Sequence, residues 1–392
     1  MKSSRIAFFA LLALVFISLV LRPPVAAIGP LVPNLISSEG LSLLQVGILT
    51  SASVVCFGLG AFMGPALVKR FGLHRSMMLV LLLLTAAMEV RLIGGYILLV
   101  VCTVLIGLAI AIANVLIPTV VREQFPKKIE LITGIYVTLL AISASLAATI
   151  AVPVAGFFGS WRGALGIWLI PAVLGIIFWL PIVRTKEIEV IVTAETHAQE
   201  KRAVMRSPLT WAIVAFFGLQ SLGFYCILNW LPQLLVDRGM SEAEAGGLLG
   251  LATFVGVPTG FLISLVIRKF KTLSLISVTV TSLTLTGFTL LLLNHDLVLV
   301  ACLIAGFGFA ATFPLSLTLI GSRASTATQT TQLSALSQGW GYLIAATGTF
   351  LFGFLKDVTG GWESSLYMLI VLTALQLVAG YLAGKDRHIP AE

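Results

Sequence analysis

Charge is scarce in this chain: Asp, Glu, Lys and Arg together supply only 10% of its 392 residues. A soluble domain carries roughly 25%, and a chain this poor in charge cannot clothe a water-facing surface. Carboxylates are scarcer still, 16 against 24 Lys and Arg. The four cysteines (Cys56, Cys102, Cys226, Cys302) stand alone in apolar stretches, which excludes a metal cluster or a loop-borne disulfide framework and makes them small buried apolar residues. The four histidines (His74, His197, His295, His388) are peripheral to the apolar stretches. No nucleotide-binding loop or catalytic triad is legible, and Gly306-Phe307-Gly308 lies inside an apolar run, where a dinucleotide fingerprint has no meaning. The longest hydrophilic segment is only 184–207, too short for a soluble catalytic or sensor domain. These absences argue against an enzyme and against any cofactor.

What the chain has in abundance is apolar length. Hydrophobic residues make up 58% of it, with a mean hydropathy of +1.07. The solvent such a chain needs is a bilayer, whose hydrocarbon layer is crossed by a helix of about 20 residues. Charge, Gly and Pro divide the sequence into twelve stretches of that order: 6–35, 44–68, 76–92, 96–121, 131–156 and 161–183, then 208–236, 245–267, 272–293, 297–320, 332–355 and 362–384. Each must be a helix, because lipid offers no partner to an unsatisfied backbone. Lys2 and Arg5 before an apolar run, with Val25-Ala26-Ala27 downstream, also resemble a cleavable leader; the repeat below claims that segment as the first helix.

With both termini placed inside, nineteen of the 24 cations fall on the inner side, four (Arg91, Arg162, Arg238, Lys356) fall outside, and Arg22 is left over. That bias fixes an even helix count with cytoplasmic termini and explains the +8 net charge without nucleic acid. The sequence also repeats. Shifted by 199, Pro33 falls on Pro232, Gly40 on Gly239, Ser42 on Ser241, Gly47 on Gly246, and Lys69-Arg70-Phe71 on Arg268-Lys269-Phe270. Pro118 and Pro314 correspond at a shift of 196. The expected architecture is an all-α membrane protein of two pseudo-symmetric six-helix bundles, 1–183 and 208–392, joined by a cytoplasmic linker, 184–207. Parallel repeats of this kind are a transporter signature, with the solute site near the midplane between the halves.

The remaining cation is the strongest functional signal. Arg22 lies about 16 residues into the first span, roughly 24 Å along a helix at ~1.5 Å per residue. A charge at such depth costs about 2.5–3.5 kcal/mol on insertion scales and marks a functional site by default. It is followed by Pro23-Pro24, Gly29-Pro30 and Pro33, which strip N–H donors and bend the helix. Two roles are open to it: contact with the solute, or capping of carbonyls freed at the bend. The apolar regions hold no titratable carboxylate at depth, Glu89 being the nearest, at the outer end of helix three. A fixed positive charge without a proton carrier favours an anion or a solute rich in acceptors, such as a nitro compound. Neutral polar side chains at helical depth accompany it: Asn114 in helix four; Gln220, Ser221, Tyr225 and Asn229 in helix seven; Gln338 and Tyr342 in helix eleven. Each can bond a small solute or glue helices together. Trp230 reads as an outer-interface anchor, and Gly58/Gly60, Gly246/Gly247 and Gly306/Gly308 as helix-packing positions.

At Leu21-Arg22-Pro23-Pro24 with Gly29-Pro30-Leu31, Asn114 through Pro118 with Phe125-Pro126, Gln220-Ser221-Leu222 with Tyr225, Trp230-Leu231-Pro232 and Gly321-Ser322-Arg323-Ala324-Ser325, the chain resembles the major facilitator superfamily. Within it, the likeness is to the bacterial cyanate and nitroimidazole transporter group. The resemblance covers nearly the whole chain and implies alternating access by rocking of the halves, with Arg22 facing the central cavity. The family's loop between helices two and three usually reads Gly-x3-Asp-Arg-x-Gly-Arg-Arg; here Lys69-Arg70-Phe71-Gly72-Leu73-His74-Arg75 puts a lysine in place of the aspartate. Lys69, Arg70 and Arg75 are the candidate gating residues, pairing with helix ends or acidic lipid. The expected function is secondary transport of a small anionic or nitro-bearing solute by a monomer. The competing readings are a proton-driven multidrug exporter and a membrane enzyme or sensor.

Overall fold

The structure is a computed structural model; it describes residues 2–41, 43–185, 194–270, 272–293 and 296–390. Lys186, Lys271 and His295, which enter the sequence argument, lie outside that set. Among the described residues every regular element is helical. The first span comprises α1 (Lys2–Val20), α2 (Pro23–Ala26), a 3₁₀ turn (Gly29–Leu31) and α3 (Val32–Glu39). The second comprises α4 (Leu43–Ala61) and α5 (Met63–Phe71). Then follow α6 (Leu73–Arg91), α7 (Tyr96–Gln124), α8 (Ile129–Phe158), and α9 (Trp161–Gly166) with α10 (Leu169–Val183). After α11 (Ala194–Arg206) come α12 (Pro208–Asp237), α13 (Glu242–Phe254) with α14 (Gly256–Phe270), α15 (Leu273–Leu293), α16 (Val298–Arg323), α17 (Ala327–Thr359) and α18 (Glu363–Gly384). Ten of these paths are long and apolar enough to cross a membrane by length and composition. The paths α4–α5 and α17 complete the twelve; α17 is rich in Thr, Gln and Ser and so less apolar than its neighbours.

Proline decides where the broken helices break. A proline removes the N–H that would bond the carbonyl four residues earlier, and its ring clashes with that carbonyl. Accordingly α1 ends at Val20, four before Pro24, and α2 ends at Ala26, four before Pro30. The α4 helix ends at Ala61, four before Pro65, and α13 ends at Phe254, four before Pro258. By contrast α7, α8, α10, α12 and α16 run through Pro118, Pro153, Pro181, Pro232 and Pro314 unbroken; in α7 and α16 the residues around the proline are buried on nearly every side.

The chain forms two compact units, Met1–Lys127 with Ile135–His197, and Lys128–Gly134 with Ala198–Glu392. Both are assembled on one plan. In the first, α4 packs on α7, α6 on α7 and on α10, and α1 on α10; in the second, α13 and α14 pack on α16, α15 on α16 and on α18, and α12 on α18. The same clasp recurs at one end of each unit. Trp161 Nε1 donates to Glu39 (3.3 Å) while Arg162 binds that carboxylate (2.9 Å) and stacks over the indole. Likewise Trp362 Nε1 donates to Asp237 (2.9 Å), with Lys356 over its ring. An indole, an acid and a cation at matching places are the repeat written in three dimensions.

Small residues let these helices approach, but not everywhere expected. A Cβ on Gly60 would stand 2.8 Å from Ala111 Cβ, one on Gly306 would overlap the Ala252 carbonyl, and one on Gly308 would meet Thr284. Gly246 and Gly247, expected to be packing positions too, face nothing within 4 Å. Large apolar side chains such as Phe157 (86%) and Ile97 (78%) face outward, as on a surface wetted by lipid rather than water.

Residues 384–390 are strapped down within the second unit. Arg323 bonds Asp386 (3.2 Å) and the Gly384 carbonyl (2.9 Å), and its own carbonyl accepts from Ile389 N (3.0 Å). Ser325 Oγ donates to Ile389 O and Gln329 Nε2 to Pro390 O (2.7 Å), leaving Ile389 fully buried. Ending the chain at Gly384 removes all of these partners but the Gly384 carbonyl, and with them one buried isoleucine, worth about 1.5–3 kcal/mol on its own. Differential scanning fluorimetry of the truncated protein in detergent is expected to show Tm lowered by several degrees; an unchanged Tm would show the strap to be idle.

Candidate functional site

In the first unit the site begins at the proline-enforced bend. Leu21 and Arg22 lie between α1 and α2, and the Arg22 carbonyl accepts from both Val25 N (3.1 Å) and Ala26 N (2.9 Å). Residues 22–26 therefore form a single tight turn that carries the half-buried Arg22 side chain. Asn114 sits one turn before Pro118, so its carbonyl loses the usual helical donor. Its side chain is 6% exposed, and Oδ1 accepts from Tyr136 OH at 2.6 Å. Beside these, Ser143 Oγ donates to the Ser18 carbonyl (3.3 Å), tying α8 to α1.

Two residues of this unit escaped the sequence reading. Tyr136 is one of only six tyrosines in the chain and lies deep in an apolar helix, a signal that was available. Arg91 was counted with the outer loop, yet it is 1% exposed and its Nη1 donates to the Pro24 carbonyl at 2.8 Å. At the Pro24 carbonyl, the capping role open to Arg22 is filled by Arg91.

In the second unit four expected residues lie on two helices packed against each other, α12 and α17. Gln220, Gln338 and Tyr342 are buried and Tyr225 partly so. The rings of Tyr225 and Tyr342 meet edge to face at 6.3 Å, and Tyr342 meets Phe217 at 5.5 Å. Ser221 Oγ donates to Gln220 Oε1 (3.2 Å), and Gln338 Nε2 to Ser334 Oγ (2.9 Å). The result is an aromatic edge flanked by amides, able to hold a flat polar solute by stacking and by hydrogen bonds. Asn229 is exposed and does not join it. Trp230, expected to be an interface anchor, joins α12 to α17: its Nε1 donates to Thr349 O (3.0 Å) and its ring covers Gly353.

Lys69, Arg70 and Arg75 are all exposed. Among the described residues none of the three pairs with a carboxylate; Arg70 stacks over Phe71 at 5.2 Å. In this region His74 Nε2 and Glu123 Oε1 are hydrogen-bonded at 3.0 Å, joining α6 to α7, with Trp179 Nε1 donating to the His74 carbonyl (2.9 Å). His74, at the start of α6, is 3% exposed and hence buried rather than merely peripheral. A separate cavity of ≈ 580 Å³ at the end of α12 is lined by Arg238, Glu244 and Asp296 among leucines and holds none of the expected site residues. Burial there pulls the Arg238 guanidinium below its ordinary value, with Glu363 opposing.

Membrane-length helices in two units of one repeated plan, with polar side chains buried inside them, define a multi-pass membrane protein of the secondary transporter class. Residues 6–349 match the Major Facilitator Superfamily, and the chain belongs to that family. It is 34% identical over 376 residues to the 2-nitroimidazole transporter of Escherichia coli (strain K12), covering 96% of this chain and 95% of that protein. It is 28% identical to the cyanate transport protein CynX of the same organism, covering 90% and 91%. Among solved structures, the superfamily transporter FucP in the outward conformation superposes with a TM-score of 0.78 at 15% identity, over 96% and 98% of the two chains. The proton:xylose symporter XylE follows at 0.73 and 14%, over 96% and 94%. At such identities these two share the fold.

Proposed function

We propose that this transporter carries a small anionic or nitro-bearing solute, with cyanate and 2-nitroimidazole as the reference chemistries, and that Arg22 is its electrostatic anchor. The observation that carries the reading is an imbalance of buried charge. Arg22 and Arg91 meet at the bend in the first span, while the one buried carboxylate among the described residues, Glu200, is in α11 outside the spans. A guanidinium that stays charged at any usable pH attracts oxygen-rich solutes and cannot itself carry a proton. Within the first unit Asn114 offers a neutral amide, and within the second Gln220, Tyr225, Gln338 and Tyr342 offer donors, acceptors and ring edges of the kind such a solute needs. The names of the relatives point to the same chemistry.

The same proposal takes 1–183 and 208–392 as the two moving halves of a monomer in a bacterial inner membrane. Both termini and the 184–207 linker then lie on the cytoplasmic side, where the cations are concentrated. Lys69, Arg70 and Arg75 face that side as gating or lipid-contact residues.

The experiment is a thermal-shift screen of purified protein against cyanate, small oxyanions, nitro-heterocycles and bulky lipophilic cations, followed by flux in liposomes with and without a pH gradient. Stabilisation by cyanate or 2-nitroimidazole, with flux that follows the solute gradient, is expected. Stabilisation by the cations alone, with flux that collapses without the pH gradient, would replace this reading with proton-driven multidrug export.

A further inference from the structure

The buried Arg91 raises a question that its hydrogen bond alone does not answer. It ends α6 with 1% of its surface exposed, and its Nε–H has no partner among the described residues. A charge buried at this depth with one donor unsatisfied costs several kcal/mol. A neutral side chain would cap a carbonyl more cheaply.

Its target identifies the task. In an unbroken helix the Pro24 carbonyl would accept from Ile28 N, but Ile28 N bonds Val25 O instead (3.2 Å). Arg91 Nη1 takes the vacated place at 2.8 Å. Pro24 belongs to the same turn as Arg22, closed by Val25 N and Ala26 N on Arg22 O and by Ala27 N on Pro23 O. A grip on the Pro24 carbonyl therefore fixes the rotation of the turn, and with it the direction in which the Arg22 side chain leaves the backbone. A planar guanidinium fork binds an oxyanion or nitro group well only when so directed.

We propose that Arg91 is a positioning residue for Arg22: it holds the broken turn through Pro24. The inference rests on Arg22 contacting the solute. It predicts coupling between the two arginines, because a flexible ammonium at position 22 gains little from a fixed direction.

The test is a double-mutant cycle on the full chain in liposomes, with 2-nitroimidazole and cyanate uptake read as KM and maximal rate. Arg91→Met is expected to raise KM tenfold or more, with the maximal rate within threefold. Arg91→Lys, which keeps a donor and the charge, should stay within threefold. In an Arg22→Lys background, Arg91→Met should change KM less than threefold. An equal factor in both backgrounds, or an unchanged KM beside a lowered Tm, would reduce Arg91 to a structural cap and overturn the proposal. Where Arg91→Met yields no monodisperse protein, Arg91→Leu, which likewise offers no donor to the Pro24 carbonyl, is read by the same criteria. An unchanged KM in Arg22→Ala would sink the reading of Arg22 itself; loss in Arg22→Ala with no effect at Arg91 sinks only this inference.

Discussion

Arg22→Ala is expected to abolish solute-induced stabilisation and uptake, by at least 100-fold, while the protein remains folded and monodisperse in detergent. A charge-assisted hydrogen bond contributes about 1.5–3 kcal/mol, and a guanidinium offers two in parallel to an oxyanion or nitro group. Losing both also removes the attraction of a charge in a medium of low dielectric constant. Arg22→Lys should recover part of the affinity, leaving it roughly tenfold weak, because an ammonium keeps the charge and loses the planar fork. Binding isotherms of the three proteins for 2-nitroimidazole and cyanate, alongside size-exclusion profiles, check this. The contrary outcome is specific: an Arg22→Ala protein that fails to fold and binds normally once rescued would make Arg22 a cap of the bend. Because Arg91 already satisfies the Pro24 carbonyl, the fold is expected to survive.

Gly306→Val should strongly destabilise the second unit. A Cβ at this position would overlap the carbonyl of Ala252, with Ala252 Cα 3.0 Å away. These are backbone atoms of α13, which cannot rotate aside as a side-chain tip can; the whole helix would have to move off α16. Overpacking of this kind costs about 1–3 kcal/mol and occasionally more. Loss of monodisperse protein on size exclusion, or a Tm lowered by several degrees, is the expected result. Gly246→Ala is the control. Nothing lies within 4 Å of its Cβ position, and Ala is favoured over Gly in a helix by about 1 kcal/mol. That variant should be as stable as the parent or more so; equal damage in both would mean that α13 packs otherwise.

How far a feature could be read ahead depended on how local its cause is. The breaks at Val20, Ala26, Ala61 and Phe254 are each four residues from a proline and so have a local cause, although the helices that continue through Pro118 and Pro314 show that a proline permits a break without dictating one. Arg22 was legible because a lone charge in an apolar run is conspicuous at any resolution of thought. Arg91 was not: it sits at the mouth of its span, and by sequence it is one more boundary cation. Only the approach of α6 to the broken turn buries it. Gly246 and Gly306 are likewise indistinguishable as letters, since the contents of the next helix's surface separate an open glycine from an essential one.

By itself the sequence determined the solvent, the helical class, the duplication and the transporter family, because apolar length, charge bias and repeat spacing are properties of the chain taken in order. Tertiary structure decided which polar groups meet. It set Tyr136 on Asn114, Tyr225 against Tyr342, Arg91 on the Pro24 carbonyl and His74 on Glu123. Each of these contacts joins segments far apart in the chain, and its geometry follows from the packing of helices, to which no local rule of spacing gives access.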